Sequence, residues 1–145
     1  MATTTPNFGW TVPTSTDLVK DGATAIETLG DAVDASLAQL TLRDVSGTTD
    51  TLVLTDIRNK LIRYSSTSNV AVTIPLNSSV AFPTGAVINI IKTGATGEIT
   101  VSGAVGVTIT SAGAVSATPK ITGQFKAASC IKVDTDTWYV VGNIA

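Results

Sequence analysis

The chain has 145 residues and a mass of 14.8 kDa, which suits one domain with a small appendage and is too short for a two-domain enzyme. Only 14% of the residues are charged and 43% are hydrophobic, which excludes a disordered polyelectrolyte. The chain has no histidine and one cysteine, Cys130. A Ser–His or Cys–His catalytic pair, a Cys/His zinc site and an internal disulfide are therefore excluded, and we expect no cofactor and no enzymatic activity.

The chain has a net charge of −2, and its charged residues are distributed unevenly along the sequence. Residues 1–50 carry seven acids and two bases, whereas residues 51–145 carry four acids and seven bases. Neither half has the basic patch with stacking aromatics that nucleic-acid binding needs, so nucleic acid is not an expected partner. No apolar run approaches the length of a membrane span, and residues 1–6 lack the features of a secretory signal, so we expect a soluble protein made in a cytoplasm.

The first predicted element is an extended arm over residues 1–13. This segment is polar, contains two prolines and places Phe8 and Trp10 among threonines. Aromatic side chains are costly to leave in water, so two interpretations stay open. The aromatics fold back onto their own domain, or Phe8, Trp10 and Pro13 are anchors that attach the protein to another protein.

A helix is predicted over residues 14–41, with Thr14 as its N-cap. Its apolar residues follow the three-and-four spacing of a heptad seam, which points to an oligomerisation helix. The seam residues assigned to oligomerisation are Val19, Ile26, Leu29, Val33 and Leu40. The alternatives are an amphipathic helix that lies on its own β domain and a three-helix self-association.

Residues 42–50 have the composition of a linker, and residues 51–145 are predicted to form a β domain. Eight or nine short runs of β-forming residues, separated by turn residues, favour an antiparallel β-sandwich or barrel-like domain. The expected strands are 52–55, 60–65, 70–74, 86–93, 98–102, 107–110, 120–125, 128–133 and 138–141. Asp134 to Thr137 is predicted to be a hairpin turn, and Trp138 and Tyr139 must face opposite sides of their strand.

Acidic residues in the β region are too few to indicate a hydrolase. They are Asp56, Glu98, Asp134 and Asp136. Asp134 and Asp136 are expected to hydrogen-bond to their own turn, and two carboxylates alone are a weak signal for calcium. Cys130 is expected to be a buried free thiol, and Lys92, Lys126 and Lys132 are expected at solvated strand edges.

Two segments resemble structural proteins of tailed bacteriophages. Residues 7–34, NFGWTVPTSTDLVKDGATAIETLGDAVD, resemble the N-terminal segment that opens many such proteins. The part from Val70 through PLNSSVAFPTG (75–85) to DTWYVVG (136–142) is similar to a β domain that recurs in phage head and tail appendages. The resemblance implies a virion protein that is made in the host bacterial cytoplasm and displayed on the virion surface.

Two functions are weighed on this basis. The first is a homotrimeric capsid decoration protein, a cement or head-fibre protein whose partners are other copies of itself and the major capsid protein or another virion protein. The second is a short tail-fibre or receptor-binding appendage whose β domain recognises a host-surface receptor. A tail fibre ordinarily has a long shaft, which this chain lacks, so decoration is the expected function.

Overall fold

The computed structural model describes residues 3–5, 9–14, 21–38, 40–112, 114–115 and 117–145. The chain divides into two compact units, residues 1–40 and residues 41–145. The described residues are mainly β, with 42% in strands and 15% in helix. Within this described part, no helix combines the length and hydrophobicity that crossing a membrane requires.

The N-terminal unit contains a two-stranded ribbon and a helix. The ribbon pairs β1 (Thr3–Thr4) antiparallel with β2 (Thr11–Val12), and the helix α1 runs over Gly22–Ala38. Thr14, the predicted N-cap, lies before the helix, and residues 15–20 lie outside the described residues. The predicted helix end at residue 41 is wrong, because Leu40 is not helical and Thr41 already begins a strand.

The second unit, residues 41–145, contains two mixed β-sheets, and we refer to it as the β domain. Its strands are β3 (Thr41–Val45), β4 (Thr49–Thr51), β5 (Lys60–Tyr64), β6 (Val70–Ile74), β7 (Val87–Lys92), β8 (Ile99–Gly103), β9 (Thr108–Ser111), β10 (Ala114–Val115), β11 (Lys120–Ile121), β12 (Ala127–Asp134) and β13 (Thr137–Gly142). The seven-stranded sheet has the order β10-β9-β13-β12-β7-β5-β3, and the four-stranded sheet has the order β11-β8-β6-β4. A 3₁₀ turn over Leu54–Ile57 joins β4 to β5.

From β3 to β8 the chain alternates between the two sheets. It places β3, β5 and β7 side by side in one sheet and β4, β6 and β8 side by side in the other. The neighbouring strands in these two groups are parallel: β3 with β5, β5 with β7, β4 with β6, and β6 with β8. The expectation of an antiparallel domain is wrong in this half, because the period-two pattern determines which face a side chain occupies and not the direction of the neighbouring strand.

The predicted linker over residues 42–50 is also wrong, since it contains most of β3 and part of β4. Its charged composition suggested an irregular segment. However, the guanidinium of Arg43 on β3 binds the carboxylate of Asp50 on β4, with Nη2 to Oδ1 at 2.5 Å. The two charged side chains satisfy each other, so the strands can form without leaving an unpaired charge.

Several predicted strands match the structure closely, and β6 matches residue for residue. The hairpin between β12 and β13 is confirmed, with Asp134 paired to Thr137 and Asp136 in a left-handed conformation, with a φ of 52°. The predicted strand over residues 52–55 is wrong, because it is replaced by the 3₁₀ turn. The predicted strand over 120–125 shortens to Lys120–Ile121.

Buried side chains from both sheets belong to one hydrophobic cluster. Trp138 contributes the largest buried ring, and it packs edge-to-face against Phe82 with the ring centroids 5.3 Å apart. Its neighbour Tyr139 is exposed, as the alternation along the strand predicts. Cys130 is fully buried, so the prediction of a buried free thiol is confirmed.

Lys92 and Lys132 do not lie at solvated edges, and that expectation is wrong for both. Each is only 2–3% exposed. The ammonium of Lys92 donates to the carbonyls of Gly94 and Thr96, and that of Lys132 donates to the carbonyl of Phe82. These lysines hold irregular segments between strands, because an ammonium can satisfy several carbonyl oxygens at once.

Candidate attachment and association surfaces

The predicted attachment arm is a short ribbon in the residues that the structure describes. The backbone N–H of Thr5 donates to the carbonyl of Trp10 at 2.9 Å, and the N–H of Trp10 donates to Thr5 Oγ1 at 3.0 Å. Gly9 has a φ of 68°, which a glycine adopts at little cost and which turns the chain back toward Thr5. The backbone is locally extended, and the two strands pair with each other.

The three residues assigned to attachment differ in how far the structure describes them. Trp10 is half-buried within the N-terminal unit, and Pro13 is exposed. Phe8 lies outside the described residues. Beside Pro13, a groove of about 370 Å³ separates the end of β2 from α1 and is lined by Thr11, Pro13, Asp21, Thr24, Ala25 and Thr28.

The oligomerisation seam is only partly covered by the N-terminal unit. Leu29 and Val33 are half-buried, whereas Ile26 is 66% exposed and Leu40 is 49% exposed. Val19 lies outside the described residues. An isoleucine with two thirds of its surface in water is available for contact with another apolar surface.

The charged residues of the helix segment 21–38 limit which surfaces could pack against it. The charged residues of the segment 21–38 are all acidic and all exposed, namely Asp21, Glu27, Asp31 and Asp34. Helices that associate through Ile26 and Leu29 would have to keep these acids pointing to solvent, since like charges that face each other are destabilising. The spacing of the acids between the apolar positions is compatible with this arrangement.

The acids that sequence analysis considered as catalytic candidates are spread over the β domain. Asp136 Oδ1 accepts the backbone N–H of Asn77 at 2.6 Å, and Asp134 Oδ1 accepts that of Thr135 at 2.7 Å. Glu98 Oε1 accepts the ammonium of Lys120 at 2.5 Å. The expected hydrogen bond of Asp134 to its own turn is confirmed, whereas that expectation is wrong for Asp136, whose carboxylate accepts from Asn77, 59 residues away in the sequence.

Asp56 belongs to a buried polar cluster with Arg43, Asp50 and Tyr64. Arg43 Nη1 donates to Asp50 Oδ2 at 3.0 Å and to Asp56 Oδ2 at 3.3 Å, so one guanidinium bridges both carboxylates. The hydroxyl of Tyr64 donates to Asp50 Oδ2 at 2.6 Å. The cluster lies between β3 and β4, which are the terminal strands of the two sheets.

Burial dominates the electrostatics of this cluster. It raises the pKa of Asp56, whose side chain has no exposed surface, and the N–H of Val53 and the charge of Arg43 only partly oppose that effect. Burial and the hydrogen bond to Asp50 also raise the pKa of Tyr64. The guanidinium occupies the space between the two carboxylates, so the pair is not arranged to activate a water molecule.

Sequence analysis did not identify this cluster. Arg43 and Asp50 are aligned with Ile62 and Val72, which are core positions on the neighbouring strands. One signal was available in the sequence. Arg43 lies between Leu42 and Asp44 on a strand, so its side chain and that of Asp44 point to opposite faces, and one of these two charged side chains must point to the inner face. The cluster closes the end of the core at which β3 and β4 have no further strand to pair with.

Comparison of the chain with protein family models, with curated protein sequences and with solved structures found no match.

We expect the bridging role of Arg43 to produce a pH-dependent loss of stability in Arg43→Met. Burial raises the pKa of Asp56, so the protonated form favours folding at low pH and this contribution is lost as the pH rises through the folded-state pKa. In Arg43→Met the pKa of Asp56 should rise further, because the positive charge that lowers it is removed. The loss of unfolding free energy should be small near about pH 4 and reach about 3 kcal/mol near about pH 7, as measured by urea denaturation.

Arg63→Met is the matched control, because Arg63 forms an exposed ion pair with Asp44, with Nε to Oδ1 at 2.6 Å. Exposed pairs contribute about 1 kcal/mol or less, so this variant should change little at either pH. A loss for Arg43→Met that is equal to that of Arg63→Met, or that does not change with pH, would contradict the bridging role.

Proposed function

We propose that this chain is a non-enzymatic structural protein of a tailed bacteriophage, a homotrimeric decoration protein on the virion surface. The observation that carries the proposal is that the two units differ in how completely they bury their apolar side chains. The β domain has a closed hydrophobic core, whereas the N-terminal unit leaves Ile26 and Leu40 uncovered. The resemblance of residues 7–34 to phage structural proteins supports the same function.

The proposed roles follow from these surfaces. The arm with Trp10 and Pro13 attaches to the major capsid protein or another virion protein, α1 gathers three copies, and the β domain projects. Three arms on one trimer bind at a high effective concentration, so weak individual contacts give firm attachment.

We further propose that the two sheets of the β domain pack face to face as a β-sandwich. Inward-facing residues of both sheets belong to the same buried cluster, as Ile62 and Ile90 do on one side and Val72 and Val101 on the other. Face-to-face packing of two sheets produces such a shared core.

A short tail-fibre or receptor-binding appendage is the second candidate, and Phe125 favours it. This side chain is 70% exposed on the turn between β11 and β12, and its φ of 61° is unusual for a bulky residue. Its backbone N–H donates to the carbonyl of Lys92 at 2.7 Å, which holds the turn in place. Aromatic residues and strained backbone are both common at binding sites.

Trimer formation is tested by the double variant Ile26→Asp, Leu29→Asp. A charge placed in an apolar seam costs several kcal/mol, by order of magnitude, so the variant should sediment as a monomer where the wild type sediments as a trimer. The double variant Thr28→Asp, Ala35→Asp is the control, since it adds the same two charges at exposed helix positions outside the seam. A wild-type chain that stays monomeric at all concentrations would contradict the trimer.

Attachment is tested by co-sedimentation of Trp10→Ala with virus particles produced without this protein. Loss of an aromatic anchor often costs about 2 kcal/mol, so the affinity should fall about 30-fold per anchor. Thr4→Ala, an exposed change in the same ribbon, should bind like the wild type. Wild-type binding by Trp10→Ala would contradict attachment through the arm, and binding to host cells instead of particles would favour the appendage.

A further inference from the structure

A buried lysine and an asparagine side chain meet in the β domain. Lys132, near the end of β12, is 3% exposed, and its ammonium donates to Oδ1 of Asn77 and to the carbonyl of Phe82. Asn77 lies in the turn that follows β6, 55 residues earlier in the chain. A nitrogen that hydrogen-bonds to a carboxamide oxygen lies within about 4 Å of the carboxamide carbon, because the C=O bond is short. The nucleophile and the electrophile of an amide-forming reaction are therefore close together.

The charge of Lys132 has no counter-ion in the part of the chain that the structure describes. Its ammonium takes part in none of the ion pairs found there. Trp138, which is paired with Lys132 in register, packs against Phe82, and both rings are at most 3% exposed. A buried charge without a counter-ion is costly. Conversion of the ammonium to an amide would remove this charge.

Backbone hydrogen bonds hold both residues in place. The N–H of Lys132 donates to the carbonyl of Ala86 at 2.9 Å, and the N–H of Gly85 donates to the carbonyl of Lys132 at 2.8 Å. On the other side, Asp136 Oδ1 accepts the N–H of Asn77 at 2.6 Å. Groups that are held together in this way can react at an effective concentration of about 10⁵ M or more.

The second buried lysine of the β domain provides a contrast. Lys92 is 2% exposed, and its ammonium donates to the backbone carbonyls of Gly94 and Thr96. Attack on a backbone carbonyl would break the chain, whereas attack on the side chain of Asn77 releases only ammonia. Lys132 is thus the one of these two lysines that contacts a group able to form an amide without loss of the backbone.

We propose that Lys132 and Asn77 join in an intramolecular isopeptide bond. The ammonium of Lys132 gives up a proton to solvent, and the electron pair of Nζ then attacks Cγ of Asn77. The bond between Cγ and Nδ2 breaks, and Nδ2 takes the proton displaced from Nζ and leaves as ammonia. No electrons are gained or lost, so the reaction requires no oxidant or reductant. The bond forms within one chain and depends neither on the trimer nor on attachment.

Intact mass spectrometry of the full chain tests the bond. After incubation at mildly alkaline pH, because the attack requires the uncharged amine, the wild type should be lighter than its sequence by one ammonia. Lys132→Arg keeps Asn77 and the positive charge and should have the mass of its sequence. Lys92→Arg is the matched control and should lose ammonia like the wild type. Closure of Asn77 to a succinimide also releases ammonia, but it needs no lysine and would persist in Lys132→Arg.

Tryptic peptide mapping of the wild type locates the bond. Trypsin does not cleave after an acylated lysine, so residues 64–92 should be recovered joined to residues 127–145. Without the bond, residues 64–92, 127–132 and 133–145 should be released as separate peptides. This measurement uses no variant, so it decides the matter if Lys132→Arg does not fold.

Asp136 is assigned as a positioning residue, because its carboxylate holds the backbone of Asn77. Asp136→Asn keeps an oxygen that can accept the N–H of Asn77 and should form the bond at a rate close to that of the wild type. Asp136→Gly removes the acceptor and readily adopts the φ of 52° found at this position, so bond formation should slow about tenfold. Circular dichroism should show that both variants are folded. Equal rates for the wild type and Asp136→Gly would overturn the positioning role.

The bond should also stabilise the fold, because it closes a loop of 55 residues in the unfolded chain. The thermal midpoint of Lys132→Arg should lie about 10 °C or more below that of Lys92→Arg if both are folded. A wild-type mass equal to that of the sequence, both fresh and after incubation, would overturn the isopeptide bond. A loss of ammonia that persists in Lys132→Arg, or a branched peptide that lacks Lys132, would overturn it as well.

Discussion

The structure depends on the shared core of two sheets between which the chain alternates. Successive strands from β3 to β8 belong to different sheets, and buried side chains from both sheets belong to one hydrophobic cluster. Burial of apolar side chains therefore accumulates with every pass of the chain, as it does in repetitive folds. The same constraint leaves an open end at β3 and β4, and Arg43, with the carboxylates of Asp50 and Asp56, closes it.

The proposed function depends on the side chains that are not part of the hydrophobic core. Side chains that alternate with the core face outward, and their character is free to differ between the sheets. Thr73, Thr100 and Ser102 alternate with the core on the four-stranded sheet, whereas the seven-stranded sheet carries apolar residues together with Arg63, Asn89 and Ser129. Ile26 and Leu40 are the exposed apolar residues assigned to the proposed association. The arm with Trp10 remains for attachment.

Much of the β domain could be predicted because its signal is local. A run of β-forming residues identified β6, the turn residues Asp134 to Thr137 identified the β12–β13 hairpin, and alternation gave the opposite orientations of Trp138 and Tyr139. The parallel pairing could not be predicted, because strand direction depends on where the chain goes between strands. Lys132 was placed in solvent because a buried ammonium depends on carbonyls distant in sequence, such as that of Phe82, fifty residues away. The trimer and the attachment surface remain predictions.

The central claim that we propose is that three copies of this chain decorate the virion. A cryo-electron microscopy map of virions that carry the protein tests it most directly, at a resolution at which strands are separated. The account predicts protrusions with threefold symmetry on the capsid, each with three copies of α1 at its axis. Single copies, or trimers in which α1 lies away from the axis, would contradict it.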